Sequence, residues 1–250
     1  MGRFDTKVAI VTGSAGGIGE AYARALAAEG ASVVVADMDE AKGMATAEAI
    51  SGSGGGEAVF IPVDVSDSAS AEAMAAATVE RFGGIDLLVN NAAIYGDMKF
   101  DLLITVDWDY YQRFMAVNMN GALVCTRACY SHMAQRGGGA IVNQSSTAAW
   151  LYSGFYGLAK AGINSLTQQL AHELGGQNIR VNAIAPGPTD TEATRNQVGS
   201  DYVKTLVKDL AIKRPGQPTD MVGACLFLLS EDAAWVTGQI LNVDGGQVLR

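Results

Sequence analysis

Ser145-Ser146 and, further on, Tyr156-Gly-Leu-Ala-Lys160 place hydroxyls, a phenol and an ammonium within one short passage of the chain. Four residues apart on a helix, a phenol and an ammonium share a face and interact. A neighbouring cation favours the phenolate, so it draws a tyrosine pKa down from about 10. Such a phenol exchanges protons near neutral pH. With a hydroxyl beside it, the pair suits carbonyl–alcohol interconversion, provided another group carries the hydride. The spacing alone decides nothing, because Tyr95 and Lys99 repeat it beside Gly96 and Asp97, in a segment that reads as a loop. An exposed aromatic beside a solvated lysine gives the same pattern, so context must separate the copies.

A second group is Thr12-Gly13-Ser14-Ala15-Gly16-Gly17-Ile18-Gly19. Glycines let a backbone turn tightly and approach a pyrophosphate, whose charge the following helix N-terminus meets. A plain strand-to-helix turn is the simpler reading. The position, after the first apolar run and at the start of a helical pattern, favours a nucleotide. Asp37 ends the next strand, where a carboxylate accepts from both adenosine ribose hydroxyls and repels a 2′-phosphate. Gly16 and Met38 offer that phosphate no cation, so the expected cofactor is NAD rather than NADP. A capping acid in a solvated turn is the alternative for Asp37.

These groups need a frame. Val8-Ala-Ile-Val11, within a strand predicted over Lys7–Thr12, is apolar without alternation, as in strands buried on both faces. Further strands are expected at Ser32–Ala36, Val59–Val63, Ile85–Val89, Ala140–Asn143, Ile179–Ile184 and Ile240–Val243. Helices are expected from about Ile18 to Glu29, at Ala41–Ile50, in the alanine-rich run reaching Phe82, and at Trp108–Gln135, Phe155–Leu174 and Val222–Leu229. Tyr202–Leu210 carries only a weak helical pattern. Strands alternating with helices predict an α/β fold: one doubly wound, Rossmann-type domain over 1–250, its sheet mainly parallel and covered on both faces.

At 250 residues, nearly half of them hydrophobic, the chain can bury a sizeable core. A formal charge of −9 argues against nucleic acid or an acidic membrane surface as partner, since phosphates require clustered basic residues. No apolar run approaches the roughly 18 residues of a membrane span, and the first residues lack a long apolar signal, so the expected location is cytoplasmic. Cys125, Cys129 and Cys225 form no disulfide framework and read as buried small hydrophobes. His132 and His172 stand far apart, read as helix-surface residues, and suggest no metal cluster.

Taken together, Thr12-Gly-x-x-x-Gly17-x-Gly19, Asp64-Val65, Asn90-Asn91-Ala92-Ala93, Asn118, Ser146, Tyr156-x-x-x-Lys160, Pro186-Gly187 and Val243-Asp244-Gly245-Gly246 give the chain its resemblance to the short-chain dehydrogenase/reductase family, in its soluble branch. The resemblance covers essentially the whole chain. It implies a catalytic tetrad of Asn118, Ser146, Tyr156 and Lys160. Tyr156 would exchange a proton with the substrate oxygen, and Ser146 would polarise that oxygen. Lys160 would lower the tyrosine pKa and hold the nicotinamide ribose. Asn118 would anchor a water linking Lys160 to solvent. The resemblance also implies adenine contacts at Asp64 and Val65, adenosine-side contacts at Asn91, Ala92 and Ala93, and pyrophosphate cover by Ile18. Gly13, Gly17 and Gly19 would cradle the phosphates, and Asp37 and Met38 would flank the ribose. Pro186, Gly187, Thr189 and Thr191 would lie near the nicotinamide, though Thr191 also reads as a helix cap before Glu192. Two departures stand out: Ser146 precedes Tyr156 by fewer residues than is usual, leaving Ser145 as an alternative, and Ala93 replaces a common glycine.

Residues 188–213 correspond to the family's substrate lid, and lids come from mobile segments. Trp150, Leu151, Tyr152 and Tyr95 suggest an aromatic-lined pocket for a hydrophobic secondary alcohol or its ketone. Packing against the lid or a neighbouring subunit would explain them equally. The resemblance implies a homotetramer, and Leu158, Ile163, Leu166 and Leu170 suit a helix covered on more than one side. A 3-oxoacyl reductase acting on carrier-protein or CoA thioesters, and a non-catalytic NAD sensor on the same fold, are the competing readings.

Overall fold

The computed structural model describes residues 2–249, with the backbone alone at residues 198–204 and 206. Seven strands form one sheet: β1 Val8–Thr12, β2 Ser32–Asp37, β3 Ala58–Pro62, β4 Leu87–Asn90, β5 Gly139–Gln144, β6 Ile179–Pro186 and β7 Ile240–Val243. Their order is β3-β2-β1-β4-β5-β6-β7 and every pairing is parallel. Eight helices cross between them: α1 Gly17–Ala28, α2 Glu40–Ser51, α3 Ser68–Phe82, α4 Trp108–Met115, α5 Gly121–Gln135, α6 Gly154–Leu174, α7 Glu192–Val207 and α8 Pro218–Leu229. This is the doubly wound Rossmann-type architecture.

Strand pleating sends neighbouring side chains to opposite faces, which explains the unbroken apolar runs. Ala9, Val11, Val33 and Val35 meet Tyr22, Leu26 and Leu229 on the α1/α8 side. Ile10, Val34, Leu88 and Ile141 meet Met74, Cys125, Cys129 and Leu170 on the other. All three cysteines are buried, and burial pushes their thiols up, Cys125 to about 12. His172 is exposed and His132 half-buried on their helices. Among the described residues, no helix is long and apolar enough to cross a membrane.

Three segments differ from expectation. The helix expected over Trp108–Gln135 is broken by a π-helical turn at Ala116–Asn120, which adds a residue to the turn and changes the direction of Asn118. Thr147–Trp150, which lies between the strand expected to end at Asn143 and the helix expected from Phe155, makes a 3-10 turn whose Ala148 N–H donates to the Ser146 hydroxyl. The weak helix expected at Tyr202–Leu210 begins instead at Glu192 and ends at Val207. Its N-terminal turn is held by the Thr191 hydroxyl, which accepts from the Thr194 N–H at 3.0 Å.

Candidate active site

The carboxyl ends of β1, β4 and β5 open onto the crevice where the strand order reverses, between β1 and β4. Open α/β sheets bind ligands there. A cavity of about 1320 Å³ fills the crevice. That exceeds the roughly 300–1,000 Å³ of a single small-molecule site and leaves room for a dinucleotide and a second molecule. Of the residues named from sequence, Ser146, Tyr156, Lys160, Gly13, Gly17, Ile18, Asp37, Met38, Asp64, Val65, Asn91, Ala92, Ala93, Pro186, Gly187, Thr189 and Thr191 line it. Gly19 and Asn118 do not.

The glycine turn fits a phosphate cradle. Gly13 has φ +64°, and a Cβ there would come within 2.6 Å of the Ala92 Cα. At Gly19 a Cβ would strike the Gly13 carbonyl and the Asn91 amide. Thr12 and Asn91 lace this turn to β4: the Thr12 hydroxyl accepts from the Asn91 and Ala92 N–H groups, and the Asn91 amide donates to the Thr12 and Gly13 carbonyls. Asn91 therefore fixes the turn as well as facing the cavity. Asp37 accepts from the Ala15 and Asp39 N–H groups at 2.9 and 3.0 Å, which seats its carboxylate beside the turn.

Asp64 is more constrained than its sequence reading implied. One oxygen accepts from the Ser66 N–H and hydroxyl, the other from both Arg113 guanidinium nitrogens at 3.2 Å. Burial opposes its charge, but Ser66 and Arg113 together hold the carboxyl below the usual range. Arg113 and Lys42 line the cavity and went unnoticed in the sequence, where nothing local marks them. Lys42 lies 4.0 Å from Asp39 and 3.9 Å from Glu192, the first residue of α7.

Ser146 caps the 3-10 turn after β5, and α6 brings Tyr156 and Lys160 opposite it. The Tyr156 ring packs against the Tyr95 ring at 5.5 Å and, edge-on, against the Phe114 ring at 6.5 Å. Its phenol is pushed well up rather than down: burial is the largest cause, Tyr95 adds to it, and a Ser146 hydrogen bond opposes both. Lys160 Nζ lies 5.8 Å from the Tyr156 ring centre and donates to the Gln144 carbonyl at 2.8 Å. Burial pulls its pKa down to about 8. The spacing of Tyr156 and Lys160 carried no information about this dry environment, in which burial is the main influence on both groups. Ser145 also lines the cavity, but its hydroxyl is engaged, donating to the Asn164 side-chain amide oxygen at 2.5 Å.

Asn118 sits elsewhere. Its amide donates to the Ile94 carbonyl at 2.9 Å and accepts from the Ile94 N–H at 2.8 Å. With Lys160, Gln144 and Asn90 it encloses a separate cavity of about 10 Å³, room for one water. Asn90 Oδ1, buried there, lacks a hydrogen-bond partner among the described residues. The Tyr95–Lys99 copy separates: Tyr95 packs on Tyr156, while Lys99 Nζ lies 4.7 Å over the Tyr110 ring. Leu151 and Tyr152 line the main cavity, but Trp150 does not. Met98, Phe100, Leu102, Leu103 and Ile104 add an apolar wall that the loop sequence did not suggest.

A Gly-rich crossing at the switch point, with a hydroxyl, a phenol and a lysine in one cavity, defines an oxidoreductase of the Rossmann class. The chain matches the family described as enoyl-(acyl carrier protein) reductase over residues 13–247. It is 66% identical over 247 residues to an uncharacterized oxidoreductase of Mycobacterium tuberculosis (strain H37Rv), covering 99% of each chain. A probable short-chain type dehydrogenase/reductase of Bradyrhizobium diazoefficiens is 45% identical, with 99% of this chain and 89% of that one covered. The crystal structure of a putative short-chain alcohol dehydrogenase from Sinorhizobium meliloti superposes with a TM-score of 0.91 at 34% identity, over 97% and 96% of the two chains. The chain belongs to the short-chain dehydrogenase/reductase family.

Proposed function

We propose that the protein interconverts a hydrophobic secondary alcohol and its ketone with NAD. The observation that carries this reading is the convergence of Ser146, Tyr156 and Lys160 at the junction of the glycine turn and the apolar wall. When bound, NAD supplies the hydride acceptor and its reduced form the donor. Gly13, Gly17, Ile18 and Gly19 would form the phosphate turn, Asp37 and Met38 would flank the adenosine ribose, and Asp64, Val65, Asn91, Ala92 and Ala93 the adenine side. Pro186, Gly187, Thr189 and Thr191 would border the nicotinamide.

In ketone reduction, the Tyr156 phenol gives its proton to the substrate oxygen while Ser146 hydrogen-bonds the same oxygen. A phenol raised by burial remains protonated at neutral pH, which suits this direction. Lys160, anchored on Gln144, places its positive charge near the phenolate that forms. The apolar wall, largely exposed in this structure, would exclude water once a substrate lies against it, which strengthens these interactions. Lid residues 188–213 complete the enclosure. Asn118 shapes the one-water cavity behind Lys160, through which that lysine would exchange protons.

Asp37, held by two N–H groups, supports NAD over NADP, and Lys42 is already flanked by Asp39 and Glu192. A cytoplasmic homotetramer is the assembly we infer. Exposed Trp235, Leu241 and Leu249 near edge strand β7, and Leu158 on α6, give it apolar surface to bury. A monomer mass in sedimentation at micromolar concentration would refute it. The matched family's description favours an acyl-thioester reductase as the second reading. Following NADH oxidation with plain ketones and with 3-oxoacyl thioesters tests the main proposal, which fails if only thioesters react.

A further inference from the structure

The segment after β7 folds back to the active-site cavity. Asp244 accepts from the Gly246 N–H at 2.9 Å and the Val248 N–H at 2.8 Å, and the Asn242 amide donates to the Val248 carbonyl at 3.2 Å. Gln247, pinned between these contacts, lines the main cavity, and its amide meets the Thr147 hydroxyl at 2.7 Å. Thr147 is buried and follows Ser146 in the chain. Deepening the function proposed above, we infer that Gln247 determines specificity by binding a second, uncharged oxygen of the substrate: a hydroxyl one or two carbons from the reacting carbonyl.

The hydrogen-bond arithmetic at Thr147 supports this. Its single proton has two acceptors in reach, the Gln247 amide at 2.7 Å and the Pro186 carbonyl at 3.2 Å. The amide is satisfied either by accepting from Thr147 or, with oxygen and nitrogen exchanged, by donating to it while Thr147 serves Pro186. In both arrangements the other end of the amide makes no hydrogen bond among the described residues. A substrate hydroxyl both donates and accepts, so it pairs with either arrangement.

Charge narrows the group further. An amide offers no countercharge to a carboxylate, and the cavity's cations are engaged: Lys42 with Asp39 and Glu192, Arg113 with Asp64, Lys99 over Tyr110, and Lys160 on Gln144. The same cavity carries the apolar wall of Phe100, Leu102, Leu103 and Ile104. The favoured substrate is therefore a hydroxy ketone with an apolar body.

The test compares acetophenone with its α-hydroxy and β-hydroxy ketone counterparts, each reduced with NADH. Wild type should prefer at least one hydroxy ketone by kcat/KM. Gln247→Leu should lower that preference roughly three- to ten-fold, mostly through KM, the range for one neutral hydrogen bond. Thr147→Val, which frees the amide to swing, should lower it in the same sense and serves if the leucine variant misfolds. A ratio unchanged in both variants overturns the inference, as does an equal loss on plain and hydroxy ketones, the signature of a merely structural role. Wild type inactive on all three ketones overturns the function proposal and this inference with it. Activity on acetophenone with no hydroxy preference overturns the inference alone.

Discussion

The Lys160 ammonium and the Gln144 main-chain carbonyl are joined at 2.8 Å, so β5 holds this lysine within a buried site. Burial lowers its pKa to about 8 from 10.5. Below about pH 8 the native and unfolded chains both carry the charge, and the cost of burying it is fully present. Between about pH 8 and 10.5 the native lysine is neutral while the unfolded one is still protonated. Stability relative to a Lys160→Met variant should then rise with pH, by at most about 1.4 kcal/mol per unit. Urea unfolding of both proteins across that window measures it, and parallel stability curves would contradict it.

Tyr156→Phe removes the proton donor and keeps the ring that packs on Tyr95 and Phe114. Turnover should fall by roughly 10²- to 10⁴-fold, with NADH still bound. Fluorescence titration with NADH beside a ketone-reduction assay separates the two effects. A variant with full activity would remove Tyr156 from the mechanism.

The raised phenol also sets the sign of the pH profiles. Alcohol oxidation needs Tyr156 as a base and should speed up steadily into the alkaline range. Ketone reduction uses the protonated form and should not gain there. Rates measured in both directions from about pH 6 to 10 decide it; matching profiles would rule out a phenol acting in both roles.

Replacing Asp37 with Ser and Met38 with Arg should turn preference from NADH toward NADPH by at least about tenfold, because a bidentate cation replaces a repelling carboxylate. Some stability should be lost as well, since Asp37 accepts from the Ala15 and Asp39 N–H groups. Steady-state kinetics with both cofactors provide the check. An unchanged ratio would mean that Asp37 does not select the cofactor.

Asn118→Ala leaves the Ile94 N–H and carbonyl without their side-chain partner and loosens the loop that carries Tyr95. We expect a loss of about 1–3 kcal/mol in denaturant unfolding, with reduced turnover. Unaltered stability would show that the two hydrogen bonds are dispensable.

Much of the frame was legible in the chain because both-face burial leaves unbroken apolar runs such as Val8–Val11, and because Gly13, Gly17 and Gly19 mark a turn that only small residues allow. Local spacing could not report the rest. The π turn around Asn118 differs from an α turn by one residue, too little to disturb the apolar pattern. Thr191 signalled a helix start, yet the polar residues after it hid the helix that follows. Tyr156 and Lys160 showed their spacing but not their dryness, and dryness decides their proton affinities. Gln247 was invisible for another reason: its partner Thr147 lies 100 residues away.

The all-parallel sheet has a consequence for how this protein reaches its working form. No strand can pair with its predecessor through a tight hairpin, and the central pair sets Ala9 against Leu87. The ligand crevice lies at that junction, so it cannot exist before a long loop has closed. Such high contact order slows folding. Binding competence should therefore be the last property to appear on refolding, well after helix content has returned.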